Sequence, residues 1–189
     1  MINNEYELKI MLTKNEYLML RKYITTEYLQ TNYYFDNEEY VVYTSMNSLR
    51  IRQINSKYII THKHSISNNK KGVIEMVEKN VDIDKNVFTQ LINGEKNIAE
   101  FINVEFKNLK YIGYLETKRA KLNLENNMPP AELDYNKYNN IIDYELEWEI
   151  DENIYNNAIN ILNKYGINIE NHKIEQPKFL RFIRSLNIG

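Results

Sequence analysis

Cysteine is absent from this chain of 189 residues, which excludes disulfides and thiolate metal sites. Glycine is scarce, with five residues. Neither a Walker sequence nor a dinucleotide fingerprint occurs, so a glycine-rich phosphate loop is excluded as well. No run approaches the ~20 consecutive apolar residues that span a bilayer. Glu5, Glu7 and Lys9 stand where a secretory signal would carry its apolar segment. A surplus of one charge sign is also missing: 24 basic and 26 acidic residues give −2, too little to attract nucleic acid or a membrane surface. These absences lead to the expectation of a cytoplasmic protein with no nucleic-acid or membrane partner; a monomer or homodimer is expected.

What remains is an ordinary soluble composition, 43% apolar and 26% charged. The length suits one ample domain over residues 1–189, and no repeat, low-complexity tract or linker interrupts it. Alternation and turn signals predict eight strands, at residues 4–11, 30–35, 48–53, 58–64, 73–81, 110–124, 131–135 and 143–150. Thr13-Lys14-Asn15-Glu16 is a capping box that opens a helix to about residue 22. Asp84 caps a helix ending near Ile92, and residues 95–102 read as a second short one. Asp151 caps a helix that Gly166 stops, and the last helix follows Pro177 with Phe179, Leu180, Phe182, Ile183 and Leu186 as its apolar set. The fold class expected is α+β, one antiparallel sheet or barrel with helices packed outside.

Within the strands the charges keep to one parity. Glu5, Glu7 and Lys9 share a face opposite Tyr6, Leu8 and Ile10. Same-face neighbours are roughly 7 Å apart, close enough for two carboxylates to converge on one divalent cation. Arg50 and Arg52 share a face, as do Thr61 and Lys63, and Thr117 and Arg119. Glu75 alternates with Ile74 and Met76, and Asp134 lies between Leu133 and Tyr135. Asp143, Glu145, Glu147 and Glu149 line one face of the last strand while Tyr144, Leu146, Trp148 and Ile150 line the other.

If every apolar face packs under the helices, an eight-stranded barrel would gather Lys9, Arg50, Arg52, Lys63 and Arg119 against Glu5, Glu7, Glu75, Asp134, Glu145 and Glu147. Burying so many charges costs several kcal/mol per unpaired ion, so stability gives no reason to build such an interior. A metal–polyphosphate ligand does: arginines suit phosphate oxygens, and carboxylates suit Mg²⁺ or Mn²⁺. The alternative is an open sheet with its charged faces wetted by solvent. His62 and His64 lie on the parity opposite to Lys63 and read as structural, and Trp148 reads as packing on the outer side.

Glu5-Tyr6-Glu7-Leu8-Lys9 resembles the ExExK signature of the CYTH superfamily, the triphosphate tunnel metalloenzymes. The resemblance continues in order through Tyr34-Phe35-Asp36, Leu49-Arg50-Ile51-Arg52, Thr61-His62-Lys63, Leu133-Asp134, Asp143-Tyr144-Glu145-Leu146-Glu147 and the basic helix from Lys178. The later strands fit the small Bacillus-type members especially. Asn37 stands where the family commonly has threonine. The resemblance implies an eight-stranded antiparallel tunnel that binds a triphosphate and a divalent metal, Mg²⁺ or Mn²⁺. It implies that Glu5, Glu7 and Glu147 hold a metal, and that Asp134 and Glu145 help place a second one and its water. Lys9, Arg50, Arg52, Lys63 and Arg119 would bind phosphate, with Lys178 or Arg181 closing one end.

Hydrolysis of a triphosphate, inorganic triphosphate first, is the expected activity, because no separate pocket for a base or thiazole is legible in so compact a chain. A class IV-type adenylate cyclase and a non-catalytic polyphosphate or nucleotide binder are the alternatives. The catalytic residues would be Glu145, Asp134 and Lys9.

Overall fold

A computed structural model of the chain describes residues 6–68, 74–150, 152–172 and 177–186. Its strands are β1 (Tyr6–Leu12), β2 (Ile24–Asp36), β3 (Asn47–Ile54), β4 (Lys57–Asn68), β5 (Ile74–Ile83), β6 (Lys110–Leu122), β7 (Ala131–Tyr138) and β8 (Ile141–Ile150). They form one sheet in the order β1-β8-β7-β6-β2-β3-β4-β5, with β1 and β5 as its two ends. The pairs β1–β8, β7–β8, β2–β3, β3–β4 and β4–β5 are antiparallel. The helices are α1 (Lys14–Leu20), α2 (Val41–Thr44), α3 (Lys85–Ile92), α4 (Tyr155–Lys164) and α5 (Lys178–Ser185). The eight-stranded antiparallel sheet with helices is thus borne out. Among the described residues no helix is long and apolar enough to cross a membrane.

Capping chemistry fixes several boundaries. The Thr13 side chain accepts from the Glu16 backbone N–H, and the Thr13 backbone N–H donates to the Glu16 carboxylate at 2.7 Å, so α1 begins where the sequence places it. Asp84 caps α3 by accepting from Val87 N–H at 2.8 Å. Gly166 ends the α4 region at φ +74, a conformation that costs glycine little.

Elsewhere the chain departs from its local pattern. Residues 24–29 belong to β2, which is 13 residues long rather than six. Most of that stretch is exposed, so it lacks the apolar alternation that marks a half-buried strand. Thr25 Oγ1 donates to the Lys121 carbonyl there at 3.1 Å. The short helix expected over 95–102 contracts to a 3₁₀ turn, Ile98–Glu100, closed by an Asn97–Glu100 capping box; one turn does not offset the cost of nucleating an α-helix. α2 was not legible, because its start is organised from a distance. The Asp36 carboxylate accepts from the Val42 and Tyr43 N–H groups at 2.9 and 3.0 Å. Burial nevertheless pushes the Asp36 carboxyl above its usual pKa, against those bonds. Asp151 lies outside the described residues; α4 begins at Tyr155 after a 3₁₀ turn, Glu152–Ile154.

The chain divides into two compact units. The first comprises Gln30–Glu116 with Met1–Ile2 and Lys178–Gly189, and the second Asn3–Leu29 with Thr117–Pro177. Each has its own apolar core. In the first, Phe35, Leu49, Ile51, Ile60, Leu91 and Ile98 are buried together. In the second, Ile10, Leu20, Leu133, Leu146, Trp148 and Leu162 are. Trp148 is fully buried and donates its indole N–H to the Pro129 carbonyl at 2.8 Å, which makes it a packing residue with its polar atom satisfied.

Candidate active site

In the second unit, register decides which side chains meet. Lys9 lies opposite Glu147 on β8, and Glu147 lies opposite Glu132 on β7. One pair further along, Met11, Glu145 and Asp134 are in line. Directly opposite residues share a face, so this side of β1, β8 and β7 carries carboxylates while Leu8, Ile10, Leu146 and Trp148 go to the core. From β6, Arg119 donates to Asp134 through two bonds of 2.8 and 2.7 Å, a forked contact, and pairs with Glu147 and Glu132 as well. Lys9 Nζ is 2.9 Å from Glu147 and 3.6 Å from Glu145. Behind them Thr117 donates to Asn136 at 2.7 Å, and Asn136 and Tyr138 donate to Asp143 at 2.8 and 2.7 Å.

This network is buried: Asp134 and Glu145 are 0% exposed and Glu147 is 8%. Burial works against charge on Arg119, but the hydrogen bonds and charge of Asp134, with Glu147 and Glu132, outweigh it and raise the guanidinium pKa. Burial raises the Glu132 carboxyl; Arg119 opposes that, while Asp134, Glu147 and Glu149 add to it.

In the first unit the corresponding face is cationic. Arg50 and Arg52 on β3 lie opposite Tyr34 and Asn32 on β2, and Arg50 lies opposite Thr61 on β4. Lys63 and Thr61 in turn lie opposite Glu78 and Asn80 on β5. Arg52 donates Nε–H to Asn32 at 3.1 Å, and Lys63 pairs with Glu78 at 3.0 Å. Burial opposes ionisation of Glu78, yet Lys63, Asn80 and Arg50 hold its pKa below the ordinary value. Arg181 on α5 is buried and Lys178 half-buried. His62 and His64 stack at 5.2 Å between ring centroids, and the buried His62 meets Asn47 at 2.9 Å. Glu5 and the side chains of Glu7 and Glu75 lie outside the described residues.

Residues 3–179 match the CYTH domain family model. The chain belongs to the CYTH family. This CYTH chain is 30% identical over 152 residues to YjbK of Bacillus subtilis, named as a candidate triphosphatase; the match covers 77% of the chain and 76% of YjbK. Among solved structures it is similar to a candidate adenylate cyclase from Bacillus halodurans, at TM-score 0.74 and 22% identity over 94% of the chain and 96% of the relative. It is also similar to an adenylyl cyclase candidate from Hippeastrum described as revealing a dominant triphosphatase activity, at TM-score 0.73 and 21% identity over 95% of each chain. These likenesses establish the tunnel fold of the CYTH family.

The family implies use of a divalent metal, and the donor set fits one. Glu132, Asp134, Glu145 and Glu147 are drawn together around Lys9 and Arg119, so carboxylate oxygens from two strands converge on one face. Clustered carboxylate oxygens are the ligands that a hard dication takes. Among the described residues no three acidic or imidazole groups already stand in ligating geometry, because Arg119 and Lys9 take up the carboxylate oxygens. Asp134, Glu145 and Glu147 are the expected ligands that the structure brings together. Glu132 was not singled out by the sequence reading, although it sits two residues before Asp134 and so on the same face. The sequence leaves open which acid of the Glu75–Glu78 segment points inward, and the β4–β5 register puts Glu78 opposite Lys63.

Proposed function

We propose that this CYTH protein hydrolyses a triphosphate, inorganic triphosphate foremost, with Mg²⁺ or Mn²⁺. The observation that carries the reading is the gathering of the buried carboxylates Asp134, Glu145 and Glu147 with Lys9 and Arg119 on one face of the sheet, oxygen donors for a divalent cation beside cationic groups for phosphate oxygens. The name given to YjbK supports it. A divalent cation there supplies charge neutralisation at the phosphate oxygens and a more acidic attacking water. Glu5, Glu7, Glu147, Asp134 and Glu145 are the residues that would hold it. Glu145 and Asp134 orient the water for in-line attack on the terminal phosphorus, and Lys9 and Arg119 offset the charge that develops. Arg50, Arg52 and Lys63 bind the phosphate chain, with Lys178 or Arg181 at one end. The P–O bond to the bridging oxygen breaks, and orthophosphate and pyrophosphate leave.

Incubation with Mg²⁺ or Mn²⁺ and triphosphate, ATP or thiamine triphosphate tests this. Orthophosphate plus pyrophosphate from triphosphate is the expected product pair. Cyclic AMP plus pyrophosphate from ATP would replace the reading with a cyclase, and binding without product would replace it with a binder.

A further inference from the structure

Two neighbouring register pairs on the cationic face differ in how their polar atoms are satisfied. Asn32 and Arg52 face each other and bond to each other. Tyr34 and Arg50 face each other in the same way, yet the Tyr34 hydroxyl and Arg50 Nε are both buried with no hydrogen-bond partner among the described residues. Buried polar atoms are nearly always bonded, because desolvating one without compensation costs about 1–3 kcal/mol. Two such atoms on directly opposed residues share a face and a gap between cross-strand Cβ atoms of about 5 Å.

Tyr34 is also held unusually firmly. It is 0% exposed, and its ring packs on Phe179 and Phe182 of α5 at centroid distances of 5.0 and 4.9 Å. Phe182 in turn lies over Gly113, where an added Cβ would come within 2.8 Å of its ring. Gly113, Phe182 and Tyr34 therefore form a stack that aims the hydroxyl without bonding it. A rotatable O–H and an arginine N–H from opposed residues on one face offer two donors, and their complement is an oxyanion with several acceptor oxygens.

We infer that Tyr34 is a substrate-positioning residue, and that its hydroxyl and Arg50 Nε hold one phosphoryl group of inorganic triphosphate from two sides. This deepens the proposed function and rests on triphosphate being the ligand of that face. α5 is then the support that preorganises the hydroxyl through Phe179 and Phe182.

The test is Tyr34→Phe, which keeps the ring and removes only the oxygen. Binding of triphosphate is measured by calorimetry with Mn²⁺, separately from turnover, alongside melting of the unliganded protein. The variant is expected to bind triphosphate roughly tenfold or more weakly, the loss of a hydrogen bond to a charged group. Without ligand it is expected to melt no lower than wild type, since the hydroxyl has no protein partner to lose. In a cycle with Arg50→Gln, the double variant is expected to lose less affinity than the product of the two single losses, because both groups hold one phosphoryl group. Unchanged triphosphate affinity in Tyr34→Phe, multiplicative losses in the cycle, or a clearly lower melting point without ligand would each overturn the assignment. Wild-type protein that binds triphosphate without cleaving it removes the hydrolase reading and leaves Tyr34 in place. Wild-type protein that binds no polyphosphate removes both.

Discussion

In the second unit Arg119 is committed to three carboxylates and Lys9 to two, whereas in the first unit Arg50 keeps a buried Nε, and Tyr34 a buried hydroxyl, without a partner among the described residues. Both units use the same construction, an alternating strand with one face given to a core of Leu, Ile and aromatic residues. They differ in what the other face leaves over. The second unit gathers carboxylates around Lys9 and Arg119, and the first leaves two buried polar groups without a partner among the described residues. A cation suits the one and an anion the other.

The largest test of that division is Glu147→Gln. Glu147 meets both Lys9 and Arg119, so metal-dependent phosphate release is expected to fall by about two to three orders of magnitude. Far-UV circular dichroism should be unchanged, since each cation retains another carboxylate. Arg52→Ala belongs to the other half and should act on binding: KM rises roughly tenfold or more with kcat little altered. A kcat effect from Arg52 and a KM effect from Glu147 would invert the comparison and break it.

Gly113→Ala sharpens it on the stability side. The new Cβ meets Phe182 at 2.8 Å and φ is +137, so roughly 1–3 kcal/mol should be lost in urea denaturation. The smallest effect is a pH slope set by His62. Burial first, then the neighbouring charges of His64 and Lys79, lower its pKa from 6.5 to about 4. Between those values the unfolded chain takes up a proton that the folded chain refuses. Stability is therefore full above pH 6.5 and declines as pH falls through the window, by at most about 1.4 kcal/mol per pH unit for one proton. Denaturation midpoints of His62→Gln across that window should show a shallower acid slope than wild type.

Much of this was legible because alternation is strict where one face is buried. Glu145, Glu147, Lys9 and the two arginines of β3 fall on the parity their neighbours dictate. What escaped depends on partners remote in sequence. The first half of β2 is exposed and has no apolar rhythm, and α2 exists because Asp36 reaches forward to the N–H groups of Val42 and Tyr43. Glu132 was there to be read from Asp134, whereas Arg119's commitment to carboxylates rather than to the other arginines could not be. A charge pattern says which face a side chain takes, and only tertiary pairing says which opposite charge it finds.

The β1–β8 register has one more consequence, for how the chain can vary. Lys9 stands across from Glu147 while its neighbours Leu8 and Ile10 enter the core, so sliding β1 by a single position would thrust an ammonium group into hydrocarbon and strand Ile10 among acids. Chemistry and packing therefore proofread one another: a misaligned strand pair forfeits both at once. Inserting or deleting one residue within β1 should be far less tolerated than replacing a side chain there, because no silent misalignment is available to absorb it.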